Sequence, residues 1–234
     1  MFSFRRVPRG DYPANDTPAY RSSEKRAPRE PPVVIPHTVS ETRGPRFGAE
    51  ALRTGASDMT RQVPGGVAQG QRILVHGRVC DEYGRPEAHA LVEVWQANAA
   101  GRYRHANDAH DAPLDPYFTG AGQCLTDADG CYAFYTIEPG AYPWGNHANA
   151  WRPRHIHFSL FGPAWGSRLV TQMYFPGDPL LPLDPIFMGI ADAQARERLV
   201  SRFDLARTEP GHALAYRFDI VLRGPTETPW EHRS

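Results

Sequence analysis

Twenty-three prolines and 21 glycines are spread through the 234 residues, and this density of breaks excludes a helical bundle. Proline removes a backbone donor and clashes with the preceding helical turn, and glycine costs conformational entropy in any regular element. What survives between the breaks is short and rich in β-branched and aromatic residues. Arg72–Cys80, Ala90–Gln96, Cys131–Ile137, His155–Phe161, Ser167–Phe175 and Leu214–Leu222 read as strands, with turns at Asp81–Gly84 and Asp127–Gly130. Short strands at this spacing predict an all-β fold, an antiparallel β-sandwich. One helix is expected, near the C-terminus, over Ala191–Leu205, where Ala, Arg, Glu and Leu run without Gly or Pro.

Two segments follow from the same pattern. Residues 71–234 hold the strands and form the expected sandwich domain. Residues 1–70 lack periodicity and carry Pro8, Pro13, Pro18, Pro28, Pro31, Pro32, Pro36, Pro45 and Pro64, yet also Phe2, Phe4, Tyr12, Tyr20, Val33, Val34, Ile35 and Phe47. So apolar a stretch is no free linker. It reads as an extended proline-rich N-terminal arm that buries its side chains against another surface. Lys plus Arg equals Asp plus Glu, 26 each, so there is no electrostatic footprint for nucleic acid or an anionic membrane. The expected partner is a small molecule or another protein. No apolar run approaches a membrane span, and Met1–Gly10 lacks the apolar core of a secretory signal, so a cytoplasmic location is expected. Cys80, Cys124 and Cys131 are an odd number with no CxxC, and they read as apolar thiols.

The densest cluster of unusual residues is 142–157, ending in His155-Ile156-His157. Side chains two apart on a strand share a face, so the two imidazoles stand side by side, suited to adjacent positions on one metal. Phe158, Leu160 and Phe161 make the strand otherwise apolar. No carboxylate is spaced to complete a two-histidine, one-carboxylate Fe(II) site on this strand, and no cysteine lies near enough to indicate zinc. Tyrosines flank the histidines on both sides. Phenolate is a hard anionic donor that suits Fe(III), but spacing alone does not select among ten tyrosines.

Several segments carry a family likeness. Leu91–Asn98, Gly101–His105, Leu125–Gly130, Pro139–Trp144 and Trp151–His157 resemble the intradiol ring-cleavage dioxygenases. Thr17–Tyr20 and Leu214–Gly224 narrow the resemblance to the β-chain branch that acts on protocatechuate. The resemblance covers nearly the whole chain in order. It implies one non-haem Fe(III) per chain, held by Tyr103, Tyr142, His155 and His157, with Tyr142 also a catalytic base. It further implies Trp144 as a pocket wall, Arg152 and Gln172 on the substrate and oxygen side, Arg152 as a stabilising cation, and Tyr20 approaching the substrate from the arm. Protocatechuate and O2 are the implied substrates, 3-carboxy-cis,cis-muconate the product, and a homologous α subunit the partner. Gly145 stands where the family pattern has arginine. Two other readings are an intradiol enzyme for a different catechol, and a metal-free β-sandwich subunit that scaffolds a catalytic partner.

Overall fold

The structure, a computed structural model, describes residues 17–25, 52–161 and 169–229. Its strands are β1 (Arg72–Cys80), β2 (Leu91–Trp95), β3 (Ala121–Leu125), β4 (Cys131–Ile137), β5 (Tyr142–Pro143), β6 (Trp151–Arg152), β7 (His155–Phe161), β8 (Leu169–Tyr174), β9 (Arg202–Phe203), β10 (Leu214–Arg217) and β11 (Ile220–Val221). Two short helices, α1 (Pro185–Met188) and α2 (Ala193–Glu197), lie between β8 and β9. One sheet has the order β3-β2-β7-β8, and β5 and β6 form a separate hairpin. In the other sheet β1 pairs antiparallel with β4 and parallel with both β10 and β11.

The core lies between the two large sheets. Ile73, Val75 and Val79 of β1, Tyr132 and Phe134 of β4, and Phe218 and Ile220 meet Val92, Val94, Ile156, Phe158, Leu160, Leu169 and Met173. All are the alternate residues of their strands, as a sandwich requires. The parity has a consequence for β7. Because Ile156, Phe158 and Leu160 turn inward, His155 and His157 turn to the outer face of the four-stranded sheet.

The sandwich is therefore as expected, with local differences. The segment Leu214–Leu222 keeps a single register against β1 but is interrupted at Phe218-Asp219. There the Asp219 carboxylate accepts from the Arg78 N–H at 3.0 Å in place of a ladder bond. Gly77 makes the approach possible, since a Cβ at this residue would sit 1.8 Å from the Phe218 carbonyl oxygen. Residues 191–205 do not form one helix. α2 starts where Asp192 accepts from Gln194 N–H at 2.7 Å, and it stops at Glu197. Leu199 and Ser201 then exchange backbone bonds with Tyr174 at 2.8 and 2.9 Å, so pairing along β8 overrides helix propensity. Strand β3, with Gly122 and Gln123 at its centre, and the hairpin β5–β6 were not apparent in the sequence pattern.

Of the expected arm, residues 1–16 and 26–51 lie outside the described residues, as do the ends of the chain past 229 and residues 162–168. Residues 17–25 form a turn followed by a short 3-10 helix, Arg21–Lys25. Residues 52–70 lie against the sandwich: Met59 is buried in the core, and Ser57 and Met59 bond the backbone of Tyr135. Among the described residues no helix is long and apolar enough to cross a membrane.

Candidate metal centre

Three of the four tyrosine and histidine groups put their polar atoms at one point. Tyr142 Oη is 3.3 Å from His155 Nε2, which is 3.2 Å from His157 Nε2. Donor atoms bound at about 2.1 Å to one ion stand about 3.0–3.4 Å apart for right-angled to tetrahedral geometry, and these spacings fit that range. The Tyr103 ring meets the Tyr142 ring edge to face, with centroids 5.2 Å apart. Among the described residues, no Asp, Glu or Cys joins the two histidines in a cluster able to hold a metal. The phenols of Tyr142 and Tyr103 are the polar groups beside the imidazoles.

Each of these side chains is aimed by its neighbours. The His155 Nδ1–H donates to the Pro153 carbonyl at 2.6 Å, which leaves Nε2 with its lone pair turned to the cluster. His157 lies opposite Trp95 in the β2–β7 register, and the two rings stack at 4.8 Å and 1°. Tyr103 arrives on the turn after β2. The Asn98 side chain accepts from Ala100 and Arg102 N–H to shape that turn, and Asp108 accepts from Tyr103 N–H at 2.7 Å. Gly101, at φ +76°, lets the turn pass 2.0 Å (from a would-be Cβ) to the Ala141 carbonyl oxygen, so Tyr103 is brought against Tyr142.

Burial sets the electrostatics. It raises the pKa of Tyr142, partly offset by Arg152 and by a hydrogen bond from Tyr103. Burial, Arg152 and His157 together hold His155 well below the ordinary histidine value, so its imidazole is neutral and free to ligate. Burial also opposes the charge on Arg152, but Tyr174, Asp184 and Tyr142 overcome it and keep the guanidinium firmly protonated.

Arg152 and Gln172 do come together, in a buried network the sequence did not reveal. Arg152 is 4% exposed and donates through Nε and Nη2 to Asp184 Oδ2 at 3.1 and 3.0 Å. Its Nη2 also reaches Gln172 Oε1 at 2.6 Å and Tyr174 Oη at 3.1 Å. Asp184, 0% exposed, uses its other oxygen to cap α1 at Ile186 N–H, 3.0 Å away. An Asp before a Pro is a helix-start signal, and it could have located Asp184 but not its partner. Trp144 is half-buried, with the Arg152 guanidinium carbon 5.4 Å from its ring centroid and Tyr20 at 5.3 Å. Gly145 is exposed, with open space where a Cβ would stand. His105 and His147 are exposed and outside the cluster, and His110 packs edge-on to Trp151.

Comparison with known proteins adds to this geometry. Residues 42–224 match the dioxygenase family, and residues 4–38 match the protocatechuate 3,4-dioxygenase beta subunit N-terminal family. The chain is 61% identical to the protocatechuate 3,4-dioxygenase beta chain of Burkholderia cepacia over 94% of each. It is 31% identical to the alpha chain of the Pseudomonas putida enzyme over 85% of this chain and 97% of that one. The fold is that of the crystal structure of 3-chlorocatechol 1,2-dioxygenase from Rhodococcus opacus 1CP. The TM-score is 0.56 at 24% identity, over 81% of this chain and 69% of that one.

Proposed function

Since the chain belongs to the intradiol ring-cleavage dioxygenases, in the branch of the protocatechuate 3,4-dioxygenase β chains, we propose that it holds one non-haem Fe(III) through Tyr103, Tyr142, His155 and His157. With O2 it opens protocatechuate between the two hydroxyl-bearing carbons to give 3-carboxy-cis,cis-muconate, both oxygen atoms ending in the product. The observation that carries this reading is the convergence of Tyr142 Oη, His155 Nε2 and His157 Nε2 within 3.2–3.3 Å steps, with Tyr103 at the edge of Tyr142. Two imidazoles and two phenols fit a ferric ion: the phenolates offset its charge and favour the oxidised state.

A ferric ion held by Tyr103, Tyr142, His155 and His157 would supply Lewis acidity, which lowers the pKa of a bound catechol's hydroxyls. The chain's residues do the rest. A catechol that binds as a dianion gives up two protons. Tyr142, whose buried phenol holds its proton more tightly than an exposed one, makes a strong base as phenolate and takes one of them at Oη, and the other leaves to solvent. His155 and His157 stay in place, fixed by Pro153 and by the Trp95 stack. Arg152, permanently cationic and held by Asp184, Gln172 and Tyr174, stabilises the negative charge that develops as the ring opens, without reorganising. Trp144 and Tyr20 wall the substrate side.

The likeness to both the β and the α chain of protocatechuate 3,4-dioxygenases supports an α-subunit partner of the same fold. The arm then has a surface to bury its apolar groups, in an interface of about 2,000 Å² or more. The same likeness supports a cytoplasmic role in aromatic catabolism through the β-ketoadipate pathway. The test is metal content with a visible spectrum. Bound iron and a broad tyrosinate-to-iron charge-transfer band, altered by Tyr103→Phe and by Tyr142→Phe, are expected; a colourless zinc protein would overturn the assignment.

A further inference from the structure

We infer that Asn146 is a positioning residue that locks Tyr20 beside Trp144 and so sets how tightly substrate is held. The inference rests on the ring-cleavage reading above and goes beyond it, because Asn146 touches neither the metal cluster nor the substrate side.

The geometry is specific. Asn146 sits in the loop between β5 and β6 and is 4% exposed, unlike its exposed neighbours Gly145 and His147. A buried amide must have partners, and this one finds them in the N-terminal segment, some 125 residues away. Its Oδ1 accepts from the Arg21 N–H at 2.8 Å, and its Nδ2 donates to the Ala19 carbonyl at 2.6 Å. The Asn146 main-chain carbonyl accepts from Arg21 Nη1 at 3.4 Å. The two side-chain bonds fall on either side of Tyr20. They pin the backbone before and after it, as a neighbouring strand would, and its ring meets Trp144 with centroids 5.3 Å apart at a tilt of 44°.

Both ends of the clamp are stiff. On the arm side, Tyr20 N–H donates to Thr17 O at 2.8 Å, Ser23 N–H to Tyr20 O at 2.9 Å, and Ser23 Oγ to Thr17 O at 3.0 Å, closing residues 17–23 into one turn. On the loop side, Trp144 N–H donates to Ala150 O at 3.0 Å and Ala150 N–H to His147 O at 3.3 Å. Only a primary amide offers a donor and an acceptor in the plane that a backbone peptide requires. Asp keeps the bond to Arg21 but sets a carboxylate oxygen against the Ala19 carbonyl. The arm thus carries a wall residue, and Asn146 is what registers it on the domain that holds the metal cluster.

The experiment uses the iron-loaded complex with its α partner and compares wild type, Asn146→Ala, Tyr20→Ala, the double variant and His147→Ala. Steady-state protocatechuate turnover gives KM and kcat, and hydrogen exchange of a peptide covering residues 17–25 reports the clamp directly. Each hydrogen bond lost is worth roughly a factor of three to ten. Asn146→Ala should raise KM about tenfold with kcat within about twofold and the visible band intact, and speed exchange in 17–25 by about tenfold. The double variant should be no worse than Tyr20→Ala, because the two act in series. His147→Ala, one residue along the loop, should change neither readout. Multiplying KM effects in the double variant, a fall in kcat alone, or unchanged exchange in Asn146→Ala would overturn the inference. A wild-type complex that loads iron but opens no catechol would overturn the ring-cleavage reading instead, whatever the exchange data show.

Discussion

Removing the carboxylate of Asp184 should cost more stability than almost any other single change outside the apolar core. Asp184 and Arg152 are both buried, and Asp184 Oδ2 takes two guanidinium N–H groups at 3.0 and 3.1 Å. Asp184→Ala leaves the Arg152 charge buried with only the neutral Gln172 and Tyr174 oxygens, which costs about 3–5 kcal/mol. The cap on α1 goes too, for about 1 kcal/mol more. The expected loss is therefore about 4–6 kcal/mol, a large share of a domain's typical reserve. Asp184→Asn keeps an acceptor for Ile186 N–H and should lose only the ion-pair part, about 3–5 kcal/mol. Replacing both partners by apolar residues, Arg152→Met with Asp184→Leu, removes the stranded charge and should cost less than either single change, about 2 kcal/mol or below. The assay is urea denaturation of the metal-free protein followed by far-ultraviolet circular dichroism, since bound metal would add its own linkage. If Asp184→Ala unfolds within about 1 kcal/mol of wild type, or the double variant costs the sum of the singles, the buried pair is not what holds this corner together.

Tyr142→Phe should retain iron while slowing substrate chelation, because three ligands stay and a base is lost, whereas His155→Ala should deplete iron; metal analysis with stopped-flow absorbance separates them, and equal iron loss would refute the base role. Gly77→Ala should destabilise the fold by about 3 kcal/mol or more in the same denaturation assay, since its Cβ would overlap the Phe218 carbonyl oxygen at 1.8 Å. Stability should also fall on the acid side through His76. Burial and Arg207 lower its pKa below 6.5, against the pull of Asp204, so the unfolded chain binds more protons there. The contribution is intact above about pH 6.5 and is lost as pH falls toward the lowered folded value. His76→Asn should flatten that limb of a plot of denaturation midpoint against pH, and an unchanged slope would count against it.

The alternation of apolar residues made the sandwich legible. Every long strand expected from β-branched and aromatic runs is found, Leu214–Leu222 as the two pieces β10 and β11, because a two-residue period and a two-sided core are the same fact seen in sequence and in space. What escaped depends on tertiary pairing. The propensity of residues 191–205 is helical, yet Leu199 and Ser201 bond Tyr174 and end the helix early. Strand β3 has Gly and Gln where β-formers would stand, and it is held by pairing with Val92 and Val94 on β2 rather than by its own preference. The parallel contacts of β1 with β10 and β11 join segments some 140 residues apart, and nothing local records them.

The site divides along the same line, and the reason is which face of the sheet it uses. Once Ile156, Phe158 and Leu160 are committed to the core, the two imidazoles must project from the outer face, which would be solvent unless other chain covers it. The HxH pattern could therefore announce the pair, but not the cover. That cover comes from four separate places: the β5–β6 hairpin with Tyr142 and Arg152, the turn carrying Tyr103, Asp184 at the head of α1, and Tyr20 held by Asn146. Cross-strand register supplies a further layer. Trp95, His157 and Gln172 form one row across the sheet and His155 with Tyr174 the next, so the pairing alone sets Trp95 and Tyr174 beside the two histidines. Without the register they are merely an aromatic residue near the end of one strand and another near the end of a second. Of the four proposed metal donors, His155 and His157 lie on β7, Tyr142 on the β5–β6 hairpin and Tyr103 on the turn after β2, whereas Tyr20 and its contact with Trp144 come from the separate N-terminal segment. On that reading, changes in the arm or in the loop from Trp144 to Ala150, including Gly145 with its open space, alter what is bound while the four proposed ligand positions stay as they are.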